Sequence, residues 1–458
     1  MITPDDENPS TRTEDPRSRF MVLAVVSSAV VAVVWLMLFA TGRVEIGVPG
    51  EWVWARQSIF AIADVAVPIV VALTVCCGYL FAVRLLSQQL YLEPRRSWLI
   101  VPLVAVMGFF VLWSIQSCAP SPHRQIKPNW VLYDWGASGY FVDAASLPDL
   151  ETFLSGFEEE MRKGEVLHKG THPPGLVMAN YALLRLCREN PSVANAILEL
   201  QPKSVAEAFA ELVPKQKLTT PDRAALWLSI LLTHVIAALT ILPLYGLLRR
   251  ELNSEVSLLL ASLWPLVPGL SVFLPKSDAI YPFVGSLFLW LILSSWEKGS
   301  IFRAAMAGLA FWLGMMLSLA MLPIAVIATV HAGLRLRTDF PGPTQALKSI
   351  LGVIAAFAVT TIAFYLWSDI KLWNTWILNY QNHAGFYQQF DRTYTKWILA
   401  NPLELTLTLG SPLLVLTVAG VASIVHDRSQ FSRYVTPLAV MVVWSLLWLS
   451  GKNMGEAA

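Results

Sequence analysis

The sequence predicts an all-α polytopic membrane protein, with about eleven transmembrane helices and an extracytoplasmic loop region that contains interfacial helices. Two observations carry this prediction. Hydrophobic residues make up 55% of the 458 residues, whereas charged residues make up only 14%. Apolar runs of roughly 18 or more residues also recur along the chain, and a run of that length can cross the hydrocarbon core of a bilayer as one helix.

The apolar runs and their flanking charges give the predicted spans in order. The first run follows a polar N-terminus at 1–19, which we expect to be cytoplasmic. This run is too long for the core of a signal peptide, so it is expected to remain as a membrane helix. Single spans are expected at 20–41, 57–85, 97–117, 222–248, 254–274, 279–295, 349–367, 403–425 and 433–449.

The apolar stretch at 302–334 is too long for one helix. Its 33 residues would reach about 50 Å at a rise of about 1.5 Å per residue, whereas the hydrocarbon core is about 30 Å thick. We therefore expect two short helices, with a bend near 318–323. This brings the predicted number of spans to eleven.

Positive charges give the orientation, because lysine and arginine are enriched in short cytoplasmic connections. With eleven spans and a cytoplasmic N-terminus, the cytoplasmic connections hold fifteen lysines and arginines, and the short opposite connections hold seven. A single span at 302–334 would invert the membrane orientation of the C-terminal part, 335–458. We expect this part to form transmembrane helices with an extracytoplasmic loop at 368–402. The total charge of +1 provides no basic field for nucleic acid.

The most unusual segment lies at 118–221, where about a hundred mostly polar residues separate two apolar spans. A connection of this length and composition is expected to form a site rather than a tether. The predicted orientation puts it on the extracytoplasmic face together with two later links. The polar residues brought to that face include Asp134, Asp143, His168, Lys169, His172, Lys276, Asp278, Arg392 and Lys396.

Some of these residues also have purely structural explanations. Asp134 could cap a helix that begins just after it, since an Asp side chain accepts hydrogen bonds from free backbone N–H groups. His168 and His172 are four residues apart, but Gly170 and the prolines after His172 do not suit a regular helix. The geometry of a helical metal-binding pair therefore does not apply to them.

Two further features lie at the predicted membrane boundary. The prolines at 173 and 174 can open an interfacial helix at 175–188, with His172 just ahead of its N-terminus, where backbone N–H groups favour an anion. Lys276 and Asp278 lie in a short link between two spans. They could form a salt-bridged turn or contribute to a site.

The order of these motifs resembles a known family. An Asp in an early extracytoplasmic loop is followed by a Pro-Pro motif before an interfacial helix, and then by a Ser-Asp-Ala turn between later spans. This arrangement resembles the GT-C superfamily of membrane glycosyltransferases, and within it the bacterial enzymes related to protein O-mannosyltransferases and lipid A aminoarabinose transferases. Residues 97–334 carry the resemblance, with Asp134, His172 and Asp278 at the family's motif positions, and two spans at 20–96 precede it.

The resemblance implies transfer of a sugar, with inversion, from a polyprenyl-phosphate donor to an acceptor hydroxyl. The reaction would take place on the extracytoplasmic face of a bacterial inner membrane. Asp134 would be the catalytic base, and Asp278 a positioning or charge-tuning carboxylate. A segment at 379–392 would be a loop that closes over the donor. The residues available for the donor phosphate are His168, Lys169, His172, Lys276, Arg392 and Lys396.

Two other functions stay open. In a transporter or a non-catalytic scaffold, His234 and the helices broken near Pro268 and Pro323 would mark a substrate route. A metal-dependent hydrolase would use the two histidines and Asp134, but their spacing is not that of a metal site. The resemblance implies no cofactor, and a divalent metal stays an alternative. Membrane lipids are expected partners, the acceptor could be protein, lipid or glycan, and the link at 451–458 is expected to lead into another helix.

Overall fold

The computed structural model describes residues 16–54, 62–134, 136–212, 218–335, 343–426, 434–452 and 454. The first fifteen residues, and therefore most of the predicted cytoplasmic N-terminus, lie outside these ranges. The structure is 81% helix with almost no strand, as the sequence predicts. Its N-terminal part consists of α1 (Pro16–Ala40), a two-stranded antiparallel hairpin of β1 (Gly47–Val48) and β2 (Trp52–Val53), α2 (Ile62–Leu92) and α3 (Ser97–Gln116).

The long polar segment folds into six helices. Apolar residues at helical spacing, such as Leu176, Leu184 and Cys187, are buried in a shared core with Trp227 of the following span. This core holds the polar segment against the membrane helices. The six helices are α4 (His123–Tyr133), α5 (Tyr140–Ser146), α6 (Leu150–Arg162), α7 (Gly175–Glu189), α8 (Pro191–Glu199) and α9 (Lys203–Leu212).

The central helices are α10 (Thr220–Leu239), α11 (Ile241–Leu248), α12 (Ser254–Ala261), α13 (Pro268–Phe273), α14 (Tyr281–Lys298), α15 (Ile301–Leu317) and α16 (Met321–Arg335). The prediction of two helices at 302–334 is confirmed, since α15 ends at Leu317 and α16 starts at Met321. The helix that follows α16 begins beside the end of α14. There the Gln345 side chain donates to the Trp296 carbonyl at 2.8 Å.

The C-terminal helices are α17 (Pro343–Ser368), α18 (Leu372–Gln389), α19 (Tyr394–Leu409), α20 (Ser411–His426) and α21 (Val435–Leu449). The span predicted at 403–425 is a bent pair of helices rather than one continuous helix. Gly410, at φ +89°, separates α19 from α20, and the two helices are bent by 110°. A positive φ interrupts regular helix geometry at this glycine.

The segment 379–392 is mostly helix rather than an irregular loop. The buried residues of α18 are Leu372, Thr375, Asn379 and Asn382. Their spacing of three and four residues describes one helix face. Three of these four buried residues are polar, and for that reason the sequence of α18 resembles that of an exposed loop.

Seven helices among the described residues are long and apolar enough to cross a membrane, or eight if the bent pair α19 and α20 counts as one span. The helices α15, α16 and α21 are apolar but shorter. Many apolar side chains of the long helices point away from the protein, for example Val67, which is 69% exposed. This is the architecture of an integral membrane protein.

Ion pairs join helix ends that the sequence predicts to lie on the cytoplasmic side. Arg84 of α2 contacts Glu255 of α12 at 2.9 Å, and Arg250 after α11 contacts Glu297 of α14 at 2.7 Å. The helix ends that carry these charges therefore lie together at one end of the bundle.

Candidate functional site

The histidine loop, residues 165–174, connects α6 to α7. The Glu165 carboxylate accepts hydrogen bonds from three backbone N–H groups of this loop, those of Leu167 at 2.7 Å and of His168 and Gly170 at 2.9 Å. Hydrogen bonds to a charged acceptor are stronger than those between neutral groups. The Glu165 side chain therefore holds the loop in one conformation.

The histidine loop is also fixed from outside by α18. The side-chain amides of Asn379 and Asn382 donate to the Gly170 carbonyl at 2.8 and 2.9 Å. A Cβ atom on Gly170 would overlap the Glu165 carbonyl oxygen and would lie 2.9 Å from the Asn382 amide nitrogen. Only glycine fits at this crossing of the loop and the helix.

His172 is held as a neutral imidazole. Its Nδ1 lies 3.1 Å from the His168 carbonyl oxygen, which can only accept, and 3.0 Å from the Thr171 hydroxyl, which can donate or accept. Burial lowers the pKa of His172 to about 4. The Tyr140 ring packs edge-on against the imidazole, with 5.4 Å between the ring centroids. At pH 7 His172 is therefore a hydrogen-bonding group and not a cation.

His168 is linked to Asp134 through Gly136. Its Nε2 lies 3.2 Å from the Gly136 carbonyl oxygen, and the Gly136 N–H donates to the Asp134 carboxylate at 2.9 Å. Burial lowers the pKa of His168, as it does that of His172. The loop that carries Asp134 and the histidine loop therefore contact each other directly.

The interpretation of Asp134 as an N-cap of the following helix is wrong. Asp134 ends α4, whereas α5 begins at Tyr140 with Gly139 at its N-cap position. The Asp134 carboxylate instead closes a short turn to Gly136, a local hydrogen bond that is common for Asp.

Lys276 and Asp278 reach the two histidines from the link between α13 and α14. Burial has the largest effect on the pKa of both His168 and His172. Among the smaller effects, Asp278 raises the pKa of both histidines and Lys276 lowers it. Both charges therefore act electrostatically on the two imidazoles. The Lys276 ammonium is 3.6 Å from the Asp278 carboxylate, and the side chains are 31% and 43% exposed.

The structure therefore brings together three parts of the chain that are far apart in sequence. The histidine cluster comprises Asp134, Tyr140, His168, His172, Lys276 and Asp278. It contains two carboxylates, one lysine, two imidazoles and a phenol.

Lys169 already has a carboxylate partner. Its ammonium contacts the Asp143 carboxylate at 2.6 Å, and the Asp143 side chain is only 13% exposed. Burial raises the pKa of Asp143, and the charge of Lys169 opposes that rise. A phosphate bound by Lys169 would have to share the lysine with Asp143.

Arg392 and Lys396 contact a different element, the β1–β2 hairpin. The Glu51 carboxylate accepts hydrogen bonds from the Lys396 ammonium at 3.2 Å and from the Trp397 indole N–H at 2.8 Å. The guanidinium of Arg392 donates to the Glu51 carbonyl at 3.4 Å. Both cations therefore contact Glu51, and their role in binding phosphate stays a prediction.

Sequence reasoning did not identify three groups beside the histidine cluster. Glu165 shapes the histidine loop, and Tyr140 packs on both imidazoles. The hydroxyl of Tyr281 is buried beside the side chains of Ser277 and Ser318. Glycines at 164 and 170, on either side of Glu165, are the only signal in the sequence for the tight loop.

No group of three or more His, Cys, Asp and Glu side chains is arranged to hold a metal ion within the part of the chain that the structure describes. No protein-family model matches the chain, and no curated protein or solved structure matches it either. The functional argument therefore depends on the chemistry of the histidine cluster.

Proposed function

We propose that the protein is a membrane glycosyltransferase that moves a sugar from a polyprenyl-phosphate donor to an acceptor hydroxyl. The main support is the convergence of Asp134, Asp278, Lys276 and two neutral imidazoles beside helices that are long enough to cross a membrane. Such a donor has a lipid tail that needs the bilayer and a phosphate that needs a cation at its surface. The histidine cluster offers both a candidate base and a cation.

The proposal includes a membrane topology. The seven long helices, the bent pair and the three shorter apolar helices would together cross the membrane eleven times. With the N-terminus in the cytoplasm, the histidine cluster would face the outside of a bacterial inner membrane. The excess of positive charge on the opposite connections supports this orientation.

In the proposed reaction one carboxylate acts as a base. It accepts the proton of the acceptor hydroxyl while the hydroxyl oxygen bonds to the anomeric carbon of the sugar. The bond from that carbon to the phosphate oxygen breaks, and the lipid phosphate leaves with the bonding electrons. Attack opposite the leaving group inverts the anomeric centre. Asp134 is the proposed base, and Asp278 positions the acceptor or tunes the charge.

Lys276 is the proposed main contact of the donor phosphate. Its only ion pair among the described residues is the loose one to Asp278 at 3.6 Å, whereas Lys169 contacts Asp143 at 2.6 Å. Neutral His172 would form a hydrogen bond through Nε2 with the acceptor hydroxyl or with a phosphate oxygen. Lys169 and His168 would complete the phosphate site.

One observation favours a transporter as the second candidate. Glu404 of α19 is 1% exposed, and neither of its carboxyl oxygens has a hydrogen-bond partner of normal geometry among the described residues. An ionisable group inside a broken membrane helix is typical of ion and proton routes. His234 gives weaker support for a transporter. Its ring nitrogens lie 3.0 Å from Gln116 and 2.8 Å from the Ile230 carbonyl oxygen, and such contacts are those of a packed side chain.

An assay with the purified full-length protein separates the two candidates. The protein is placed in liposomes with a panel of prenyl-phosphate sugars and with peptide, lipid or glycan acceptors. The glycosyltransferase proposal predicts release of prenyl phosphate together with a glycosylated acceptor. Uptake of sugar or of ions into the liposomes, with no prenyl phosphate released from any donor, would support the transporter instead.

A further inference from the structure

A cavity outside the histidine cluster lies between α4, α9 and the end of α3. Its volume is about 180 Å³, whereas pockets for whole small molecules measure about 300–1,000 Å³. A cavity of this size accommodates a single headgroup rather than a whole ligand. Six of its ten lining residues are polar or positively charged, namely Gln116, Ser117, Arg124, Gln125, Lys127 and Ser204.

Lys127 provides the charge in this cavity. Its ammonium donates to the Ser271 and Val272 carbonyls at 3.1 and 2.8 Å, and it forms no ion pair with a described carboxylate. An ammonium has three N–H donors, so one donor remains for a ligand. Burial lowers the pKa of Lys127 to about 8, which a bound anion would oppose.

The start of α9 borders the same cavity. Pro202, Ser204 and Val205 line it, and the ten-residue helix begins at Lys203. The backbone N–H groups and the partial positive charge at a helix N-terminus favour an anion. Lys127 and the N-terminus of α9 are therefore both positive, and both attract an anion.

An open groove of about 520 Å³ adjoins the cavity, and Ser117 and Arg124 line both. The other lining residues of the groove are Ala63, Asp64, Val67 and Pro68. They belong to α2, a helix long and apolar enough to cross the membrane. Arg124 contacts Asp64 at 3.0 Å in this groove. A positively charged cavity thus continues into an apolar surface on a predicted membrane span.

We propose that Lys127, Arg124 and the start of α9 bind the phosphate group of an amphiphile whose chain lies in the groove along α2. Lys127 and Arg124 carry two positive charges and Asp64 one negative charge, which leaves one positive charge for a phosphodiester. The site shares no residue with the histidine cluster. It therefore does not depend on the proposed glycosyltransferase function.

The test uses the full-length protein in phosphatidylcholine nanodiscs that contain a small fraction of phosphatidylglycerol, an anionic phosphodiester lipid. Lipids that stay bound after extraction into detergent are measured by mass spectrometry. Hydrogen bonds to charged groups contribute about 1.5–3 kcal/mol. Lys127→Gln is therefore expected to lower the retained phosphatidylglycerol at least about 10-fold. Lys163→Gln is the matched control, because the Lys163 side chain is 65% exposed. Equal retention by Lys127→Gln and the wild type would overturn the proposal.

A second variant tests whether the lipid chain lies in the groove. Its result does not depend on whether Lys127→Gln folds. Val67 is 69% exposed, so Val67→Trp fills the groove without disturbing the core. It is expected to lower phosphatidylglycerol retention and to leave binding of radiolabelled inorganic phosphate unchanged. If Val67→Trp has no effect, and inorganic phosphate displaces the lipid at equal concentration, the ligand is free phosphate and the amphiphile proposal is wrong.

Discussion

Burial sets the chemistry of single residues in the histidine cluster. The sequence identifies His168, His172 and Asp278 through motif order and topology, but it does not predict that His172 is neutral. That state depends on burial of the imidazole, against which the Tyr140 ring packs only in the folded chain. A local sequence pattern contains no information about such neighbours.

The protonation of His172 gives a test of stability against pH. Its pKa is about 4 when folded and 6.5 in its ordinary state. Between these values the unfolded chain binds a proton that the folded protein does not bind, so stability falls as the pH is lowered through this window. His172→Gln keeps a hydrogen-bonding side chain and does not titrate. Thermal unfolding in detergent at pH 7.5 and pH 5 should show a smaller loss of stability for His172→Gln than for the wild type, and equal losses would show that His172 is not buried as a neutral ring.

Gly170 tests the geometry of the histidine loop. Gly170→Ala places a Cβ atom onto the Glu165 carbonyl, so the loop must move at a cost of about 1–3 kcal/mol. Gly156 in α6 has nothing within 4 Å of its Cβ position, and Gly156→Ala should be neutral or stabilising by up to about 1 kcal/mol. Thermal melting of the two variants measures the difference. A Gly170→Ala protein as stable as Gly156→Ala contradicts the loop geometry.

At the scale of elements, the length of an apolar run predicts some features and not others. The break at Ser318 was predictable, because one helix over 302–334 would be longer than the bilayer is thick. The bend at Gly410 was not, since the run at 403–425 has an ordinary length for a span. The polar face of α18 was also missed, because the side-chain N–H groups of Asn379 and Asn382 donate to the carbonyls of Gly170 and Met161 in another part of the chain.

The β1–β2 hairpin holds the start of α19 through Glu51. Hydrogen bonds from Thr393, Trp397 and Lys396 lower the pKa of Glu51 to about 2, from 4.5. The charged carboxylate therefore stabilises the folded state fully above about pH 4.5, and this stabilisation is lost as the pH falls toward 2. Glu51→Gln should lower the melting temperature at pH 7, and its difference from the wild type should shrink in that acid window. Glu45→Gln, at an exposed position, is the control. If the melting-temperature difference between Glu51→Gln and the wild type does not change with pH, the charge of Glu51 does not hold the hairpin.

At the scale of the whole molecule, the charge asymmetry predicts which helix ends lie together. Pairs such as Arg84 with Glu255 lie at one end of the bundle, as that prediction requires. The interior of the polar segment could not be predicted in the same way. Five of its helices place buried residues in the core shared with α10, whereas the buried residues of α6 pack with Phe364 of α17 and Leu372 of α18. Long-range packing of this kind is not encoded in one local pattern.

Cysteine labelling tests the orientation of the molecule in the membrane. After replacement of the four native cysteines, Ser155→Cys in α6 and Lys298→Cys at the end of α14 provide exposed thiols at positions predicted on opposite faces. An impermeant thiol reagent added to intact cells should label Ser155→Cys and not Lys298→Cys. Both should react after lysis. The reverse pattern would place the histidine cluster in the cytoplasm.

The most direct test of the central claim is the rate of prenyl-phosphate release from a radiolabelled prenyl-phosphate sugar by the purified protein. Asp134→Asn and Asp278→Asn keep the side-chain shape but remove the base or its charged neighbour. We expect Asp134→Asn to lower the rate at least about 10²-fold, Asp278→Asn to lower it as well, and Asp149→Asn, which changes a carboxylate that caps α6, to leave it unchanged. Full activity of both Asp134→Asn and Asp278→Asn, or no release from any prenyl-phosphate sugar by the wild type, would contradict the claim.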